Sequence, residues 1–256
     1  MRILLINPNT SPHVTDLVAG HVRAQLDGRA ELCAVTGRFG ARYIASRAAA
    51  AIAGHAALDA LAEHGSACDA VYLACFGDPG LLALRELSRV PVVGMAEAAC
   101  REAAARGRFG IVTGGSAWEP MLREFVASLG LSDALASLHT VAPSGGTIAS
   151  DPDAALAMLV EAGRACAASG SETVILGGAG LAGLAARIAP QVPIPVICSV
   201  EAGTRAVLAA ADGSATAWPE LDPVESVGLA PSLAARLLDS RRGSEMRSLH
   251  RTGAMP

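Results

Sequence analysis

Short runs of consecutive apolar residues alternate along this chain with longer stretches whose apolar positions recur every three or four residues. The first pattern reads as parallel strands covered on both faces, the second as amphipathic helices. Strands are predicted over residues 3–6, 32–35, 70–74 and 90–93, and helices over 13–26, 48–63, 81–89 and 96–106. The alternation then restarts, with strands at 109–113, 138–141, 173–176 and 194–197 and helices at 119–129, 153–169 and 201–211. Asn, Thr and Ser in the loop 7–12 are suited to capping the first helix. Asp151 or Asp153, with Pro152 at an allowed early position, opens the helix of 153–169. Repeated strand–helix units imply an α/β fold with parallel sheets flanked by helices.

The second run of elements resembles the first. Pro91–Ala99 aligns with Pro195–Gly203, 104 positions on, with four of nine pairs identical, and Val71–Gly80 aligns with Val174–Gly183. Two pseudo-symmetric α/β halves are therefore expected, residues 1–106 and 107–212, free to exchange helices at their ends. A C-terminal extension follows, 213–256, partly disordered or packed against the body. Within it, 219–231 is turn-like, 231–239 a short amphipathic helix, and 240–256 an exposed arm or oligomer contact. Ligands of parallel sheets bind beyond the carboxyl ends of the strands. The loops Asn7–Ser11, Cys75–Gly77, Thr113–Ser116 and Gly178–Gly180 are thus expected to meet in a cleft between the halves.

Composition narrows the classes. At 52% hydrophobic the chain has ample material for a core, and much of its mean hydropathy of +0.40 comes from Ala and Gly. No uninterrupted apolar run reaches the ~20 residues of a membrane helix, and the N-terminal run is too short for a signal peptide. The net charge is −4 with scattered basic residues, which argues against a nucleic-acid surface. The six cysteines form no CxxC pair and no Cys/His cluster of metal-ligand spacing, so they read as free thiols in a reducing cytoplasm. The expected partners are a small-molecule substrate and further copies of the same chain, with neither nucleic acid nor membrane.

Cys75 is the candidate around which the rest is organised. A β-branched-rich run delivers it to a strand end, and the turn Phe76-Gly77-Asp78-Pro79-Gly80 leads into the next helix. A thiol ahead of a helix N-terminus lies near unpaired N–H donors and the positive end of the dipole, which favours thiolate. The amides of Phe76, Gly77 and Gly178–Gly180 are candidate donors to a developing enolate oxygen. The hydroxyls of Thr10, Ser11, Thr113 and Ser116 are suited to hold a carboxylate or imide, or else to cap helices. Glu97 and Glu201 are expected early in their helices, complementing the dipole. Cys33, Cys68, Cys100 and Cys166 are read as inert.

Ile6-Asn7-Pro8-Asn9-Thr10-Ser11, Arg42-Tyr43-Ile44-Ala45-Ser46-Arg47, Ala74-Cys75-Phe76-Gly77-Asp78-Pro79-Gly80, Pro91-Val92-Val93-Gly94 with Ala96-Glu97-Ala98, and Leu176-Gly177-Gly178-Ala179-Gly180 resemble the hydantoin racemase branch of the aspartate/glutamate racemase superfamily. The resemblance runs from about residue 1 to 210. It implies two pseudo-symmetric α/β domains and a site that needs no cofactor. In that family two cysteines flank a carbon acid, one thiolate removing the α-proton and the opposite thiol returning one to the other face. It also implies a pocket shaped by Asn7, Tyr43, Gly114 and Ala179 besides the groups above. The chain departs from this pattern where the second cysteine belongs, because position 178 is glycine, and the internal repeat places the same glycine opposite Cys75. The two-thiol mechanism cannot run here in its usual form. Cys198, at a position where the family usually has Asp, is the candidate replacement if the two neighbouring strands end level, about 4.8 Å apart.

Rival classes follow from other features. Gly178–Gly183 satisfies GxGxxG, a dinucleotide fingerprint, but the next strand ends in Cys198 instead of the ribose-binding acid. A non-catalytic binding protein would have lost one acid and kept the cleft, yet Cys75 and its turn are intact. The expectation is an isomerase acting on a 5-substituted hydantoin, allantoin or an amino-acid-like compound. The alternative on the same scaffold is a one-cysteine decarboxylase or isomerase, resembling arylmalonate decarboxylase or maleate isomerase.

Overall fold

A computed structural model describes residues 1–141, 148, 151–213 and 222–239. The first half contains β1 (Arg2–Asn7), α1 (Pro12–Leu26), β2 (Glu31–Thr36), α2 (Arg47–His64), β3 (Ala70–Leu73), α3 (Leu81–Leu87), β4 (Val92–Gly94) and α4 (Met95–Ala104). The second contains β5 (Phe109–Gly114), α5 (Trp118–Ser128), β6 (Leu135–Val141), α6 (Pro152–Ala168), β7 (Thr173–Gly177), α7 (Leu184–Ile188), β8 (Val196–Cys198) and α8 (Ser199–Asp212). A last helix, α9 (Pro231–Leu238), packs on α2. Each half builds one four-stranded parallel sheet, in the orders β2-β1-β3-β4 and β6-β5-β7-β8. The two orders are the same topology repeated. Their central strands are apolar throughout because both faces are covered: Ile3, Leu4, Leu5 and Ile6 are fully buried, as are Val71, Tyr72 and Leu73.

The halves are interlocked by their last helices. Helix α4 leaves the first sheet and packs on β7 and β8, while α8 leaves the second and packs on β3 and β4. Helices α4 and α8 also lie against each other, with Arg205 of α8 paired to Glu102 of α4 at 2.8 Å. Tyr72 shows how closely α8 meets β3. Its ring is fully buried against Gly203, where a Cβ would come within 2.3 Å of its hydroxyl oxygen, and that hydroxyl donates to the Val200 carbonyl at 3.1 Å.

Several boundaries differ from expectation for local reasons. The strand expected at 194–197 is shifted to Val196–Cys198, since Pro193 and Pro195 have no N–H to give a ladder. The strand expected from 138 starts at Leu135, and a register irregularity between Phe109 and Gly110 accommodates the added residues. Helix α3 stops at Leu87, where Ser88 Oγ donates to the Val90 carbonyl at 2.8 Å. Asp153 lies in the first turn of α6 and makes an exposed ion pair with Arg187. The expected arm of 240–256 lies outside the described residues, as does part of the turn-like stretch before α9.

Replacing Tyr72 by Phe removes one bond between the halves but leaves the Val200 carbonyl bonded to Thr204 Oγ1 at 2.8 Å. The expected loss in urea unfolding is therefore modest, about 0.5–1.5 kcal/mol.

Candidate active site

The carboxyl ends of the two sheets face a cavity of about 560 Å³. The first half supplies Asn9, Ser11 and His13 around the start of α1, Arg42, Tyr43 and Ile44 from the loop before α2, and Ala74–Phe76. The second supplies Thr113 and Gly114 from the end of β5, Trp118 from the first residue of α5, and Gly177–Leu181 after β7. Cys75 and Gly178, the two positions paired by the internal repeat, both line it. So do Ser11, Tyr43, Phe76, Thr113, Gly114, Ala179 and Gly180 of the sequence-derived candidates. Asn7, Thr10, Gly77, Ser116 and Cys198 are not among the lining residues.

The residues beside the cavity have definable structural roles. Asn7 is fully buried, and its amide donates to Asn9 Oδ1 and Thr15 Oγ1, both at 2.9 Å. Asn9 Oδ1 in turn accepts from the Ser11 N–H at 2.9 Å, so Asn7 shapes the loop that carries Asn9 and Ser11. Ser11 precedes α1 yet makes no side-chain cap bond, and it lines the cavity. By contrast, Ser46 caps α2, accepting from the Ala49 N–H at 3.1 Å. The Thr10 amide donates to the Ala41 carbonyl, tying this loop to the one bearing Arg42 and Tyr43. The Tyr43 hydroxyl donates across the cavity wall to the Gly114 carbonyl at 2.8 Å. Ser116 is exposed.

Cys75 is 7% exposed, and its thiol is held well above the usual range, by burial first and the nearby Asp78 charge second. The expected thiolate stabilisation is overturned. Helix α3 starts only at Leu81 and is seven residues long, too far and too short for its dipole to offset desolvation. The turn after Cys75 is fixed by Asp78, whose carboxylate accepts the Ala96 and Glu97 N–H groups at 2.9 and 2.7 Å at the start of α4. Burial pushes the Asp78 carboxyl up to about 7 against the pull of those two bonds. Gly77, at φ 124°, lies under the Trp118 ring, where a Cβ would meet Cζ3 at 2.5 Å. Glu97 lies in the first turn of α4 as expected and pairs with Arg85 at 2.7 Å and Arg101 at 2.8 Å.

The opposite wall is built differently. Gly178 has φ 139° and ψ 140°, a region open essentially to glycine, and its N–H is engaged by Ser199 Oγ at 3.1 Å. A Cβ there would have room, its nearest neighbours being Leu181 Cδ1 at 3.4 Å and Thr113 Oγ1 at 3.8 Å. The amides of Ala179 and Gly180 head a 3₁₀ turn and, as at any helix start, have no intrahelical acceptor. Cys198 does not reach this wall. Its residue pairs with Leu176, so Gly178 lies two residues, about 6.6 Å, further along the sheet. Burial pushes the Cys198 thiol up, against the opposing pull of nearby backbone N–H groups at Glu201, Val200 and Gly183. The GxGxxG segment forms that 3₁₀ turn and ends at Gly183, which caps the five-residue α7 and packs under His21. The helix that begins there has only five residues, and the neighbouring strand ends in Cys198 instead of an acid, so the dinucleotide reading lacks its structural context.

Sequence reasoning did not single out His13 or Trp118 as site residues. Both lie in the first turn of the helix that follows the first strand of their half, and that shared position was the available signal. Among the described lining residues Arg42 and His13 are the basic groups, and none is Asp or Glu.

Two outcomes are expected. Asp78 is protonated more readily folded than unfolded, so it makes stability fall as pH rises from ~4 to about 7. Asp78→Asn should flatten that slope in urea melts and cost ~1–3 kcal/mol, because only one of its two acceptor oxygens survives. Gly178→Cys fits sterically but must occupy a glycine conformation, and its unfolding free energy should drop by ~1–3 kcal/mol.

Residues 3–207 match the Asp/Glu/hydantoin racemase family. A hydantoin racemase of Paenarthrobacter aurescens is 36% identical over 211 residues, covering 80% of this chain and 89% of its own. An allantoin racemase from Klebsiella pneumoniae superposes with a TM-score of 0.78 at 32% identity, covering 89% of this chain and 97% of its own. Arylmalonate decarboxylase, at 19% identity and a TM-score of 0.59, covers 86% of this chain and 96% of its own and shares the fold. The chain belongs to the Asp/Glu/hydantoin racemase family and is an isomerase of the racemase type.

Proposed function

We propose that this protein moves the α-proton of a small ring carbon acid, without a cofactor, and that the Cys75 thiol serves one face of that carbon. The observation that carries the reading is the placement of Cys75 on a cavity walled by both halves, opposite Gly178. Held protonated by burial, Cys75 is suited first to donate to an enolate. The Ala179 and Gly180 amides and the Ser11 and Thr113 hydroxyls are the polar groups available for the oxygen on which negative charge develops. The substrate class is a 5-substituted hydantoin or allantoin, the kinds of ring named for the racemase relatives. A free amino acid fits less well, because no described lining residue offers a carboxylate to its ammonium. Val14, Ile44, Phe76, Trp118 and Leu181 give the ring substituent an apolar surround.

Glycine at 178 supports a second reading, in which protonation occurs on one face only, as a one-thiol decarboxylase or isomerase requires. The deciding experiment incubates resolved 5-isopropylhydantoin and allantoin in D₂O, with phenylmalonate alongside for CO₂ release. Interconversion of enantiomers with α-deuteration supports the racemase reading, and CO₂ release with one product enantiomer supports the second. Cys75→Ser should reduce whichever activity is found by ~10²–10⁴-fold; undiminished turnover would overturn both. Alkylation of Cys75 by iodoacetamide, followed by peptide mass spectrometry, should be slow at pH 7 and accelerate only in alkaline solution.

A further inference from the structure

We propose that the imidazole of His13 is the acid/base for the face of the substrate carbon opposite Cys75, in the place where the sequence has lost a thiol. The inference rests on the reading of Cys75 above. It begins from an inventory. Racemisation requires proton transfer at both faces, and the titratable side chains among the described lining residues are His13, Arg42, Tyr43 and Cys75. Of the three besides Cys75, only an imidazole both takes and gives a proton near neutral pH. Guanidinium does not deprotonate and a phenol titrates near ~10. Cys198, the other nearby thiol, is not among the lining residues and pairs with Leu176, two residues short of Gly178.

Placement agrees with the inventory. His13 lies in the first turn of α1, whose side packs on the turn Ala179–Leu181 of the second half. Two turns further along the same helix, His21 presses on Gly183, where a Cβ would meet its ring carbon at 2.4 Å. Helix α1 therefore runs along the glycine-rich turn that follows Gly178. The mirror arrangement holds in the other half, where Trp118 opens α5 and covers Gly77, two residues beyond Cys75. On each cavity wall a strand-end turn is thus packed by a helix from the opposite half. On the Cys75 wall the turn supplies the titratable group; on the Gly178 wall the overlying helix does. His13 is exposed and is one of the residues that line the cavity.

The step balances without any further reactant. With the thiol protonated, the C–H bond breaks as an N–H bond forms at a ring nitrogen of His13, and the electron pair passes into the enolate. The Cys75 S–H bond then breaks as a C–H bond forms on the other face. The opposite enantiomer reacts by the reverse sequence, and solvent resets the two groups between turnovers.

The test measures α-deuterium incorporation and optical rotation for each enantiomer of 5-isopropylhydantoin and of allantoin in D₂O. Wild type should exchange and interconvert both enantiomers, and His13→Gln should slow interconversion by at least ~100-fold. Cys75→Ala should abolish interconversion but still exchange one enantiomer with retention, by imidazole alone. That residual exchange should vanish in Cys75→Ala/His13→Gln, and added imidazole should restore it in Cys75→Ala/His13→Ala. A role confined to helix structure would slow both enantiomers alike and give no rescue. The proposal is overturned if His13→Gln interconverts at the wild-type rate, if wild type exchanges one enantiomer only, or if Cys75→Ala lacks the one-sided exchange. Wild-type rates in Cys75→Ala, or a wild type inert toward both rings, would instead bring down the parent reading and this one together.

Discussion

The crossing of two helices governs this molecule. Because α4 and α8 each leave their own sheet and bury themselves against the other, neither half can move without exposing apolar surface on both. The strand ends are thereby held facing each other with a cavity between them. Tyr72, sealed under Gly203 and bonded to Val200, lies at the closest part of this exchange and is three residues from Cys75. The same crossing orients the turn after Cys75, since Asp78 is anchored to the first amides of α4.

The cavity that results is largely apolar, and its described lining residues carry Arg42 but no Asp or Glu. Apolar side chains cover much of its wall, and the ionisable groups among its described lining residues are a buried thiol, a phenol, an imidazole and a guanidinium. A low-dielectric wall strengthens hydrogen bonds to a developing enolate, while it also holds Cys75 protonated at rest. A neutral thiol needs a base across the ring for proton transfer to begin, and so loss of the second thiol makes the chemistry of the opposite wall the central question. Gly178 is more than a shortened side chain. Its backbone lies in a glycine-only conformation, and its amide is tied to Ser199.

Much of this was legible in the sequence. Continuous apolar runs such as Ile3–Ile6 and Val71–Leu73 specify parallel strands buried on both faces, because only a covered sheet tolerates such runs. The near-repeat at a spacing of 103–104 residues specified two like halves and the pairing of Cys75 with position 178, because duplicated strands bring duplicated ends. Boundaries were less legible where single residues decide them, as at Pro195, which delays β8, or Ser88, whose hydroxyl closes the turn after α3.

What the residue order could not determine was direction and depth. The reach of Cys198 depended on register, and its pairing with Leu176 leaves it two residues short of Gly178. The ionisation of Cys75 depended on how deeply the turn is buried, a property of the whole assembly that outweighs a short helix six residues downstream. His13 and Trp118 reach the cavity only because helices from each half overlie the turns of the other. The chain alone thus determined which elements form and that they form twice. The folded arrangement decided which side chains share the cavity and in what protonation state, because desolvation and proximity arise between segments far apart in sequence.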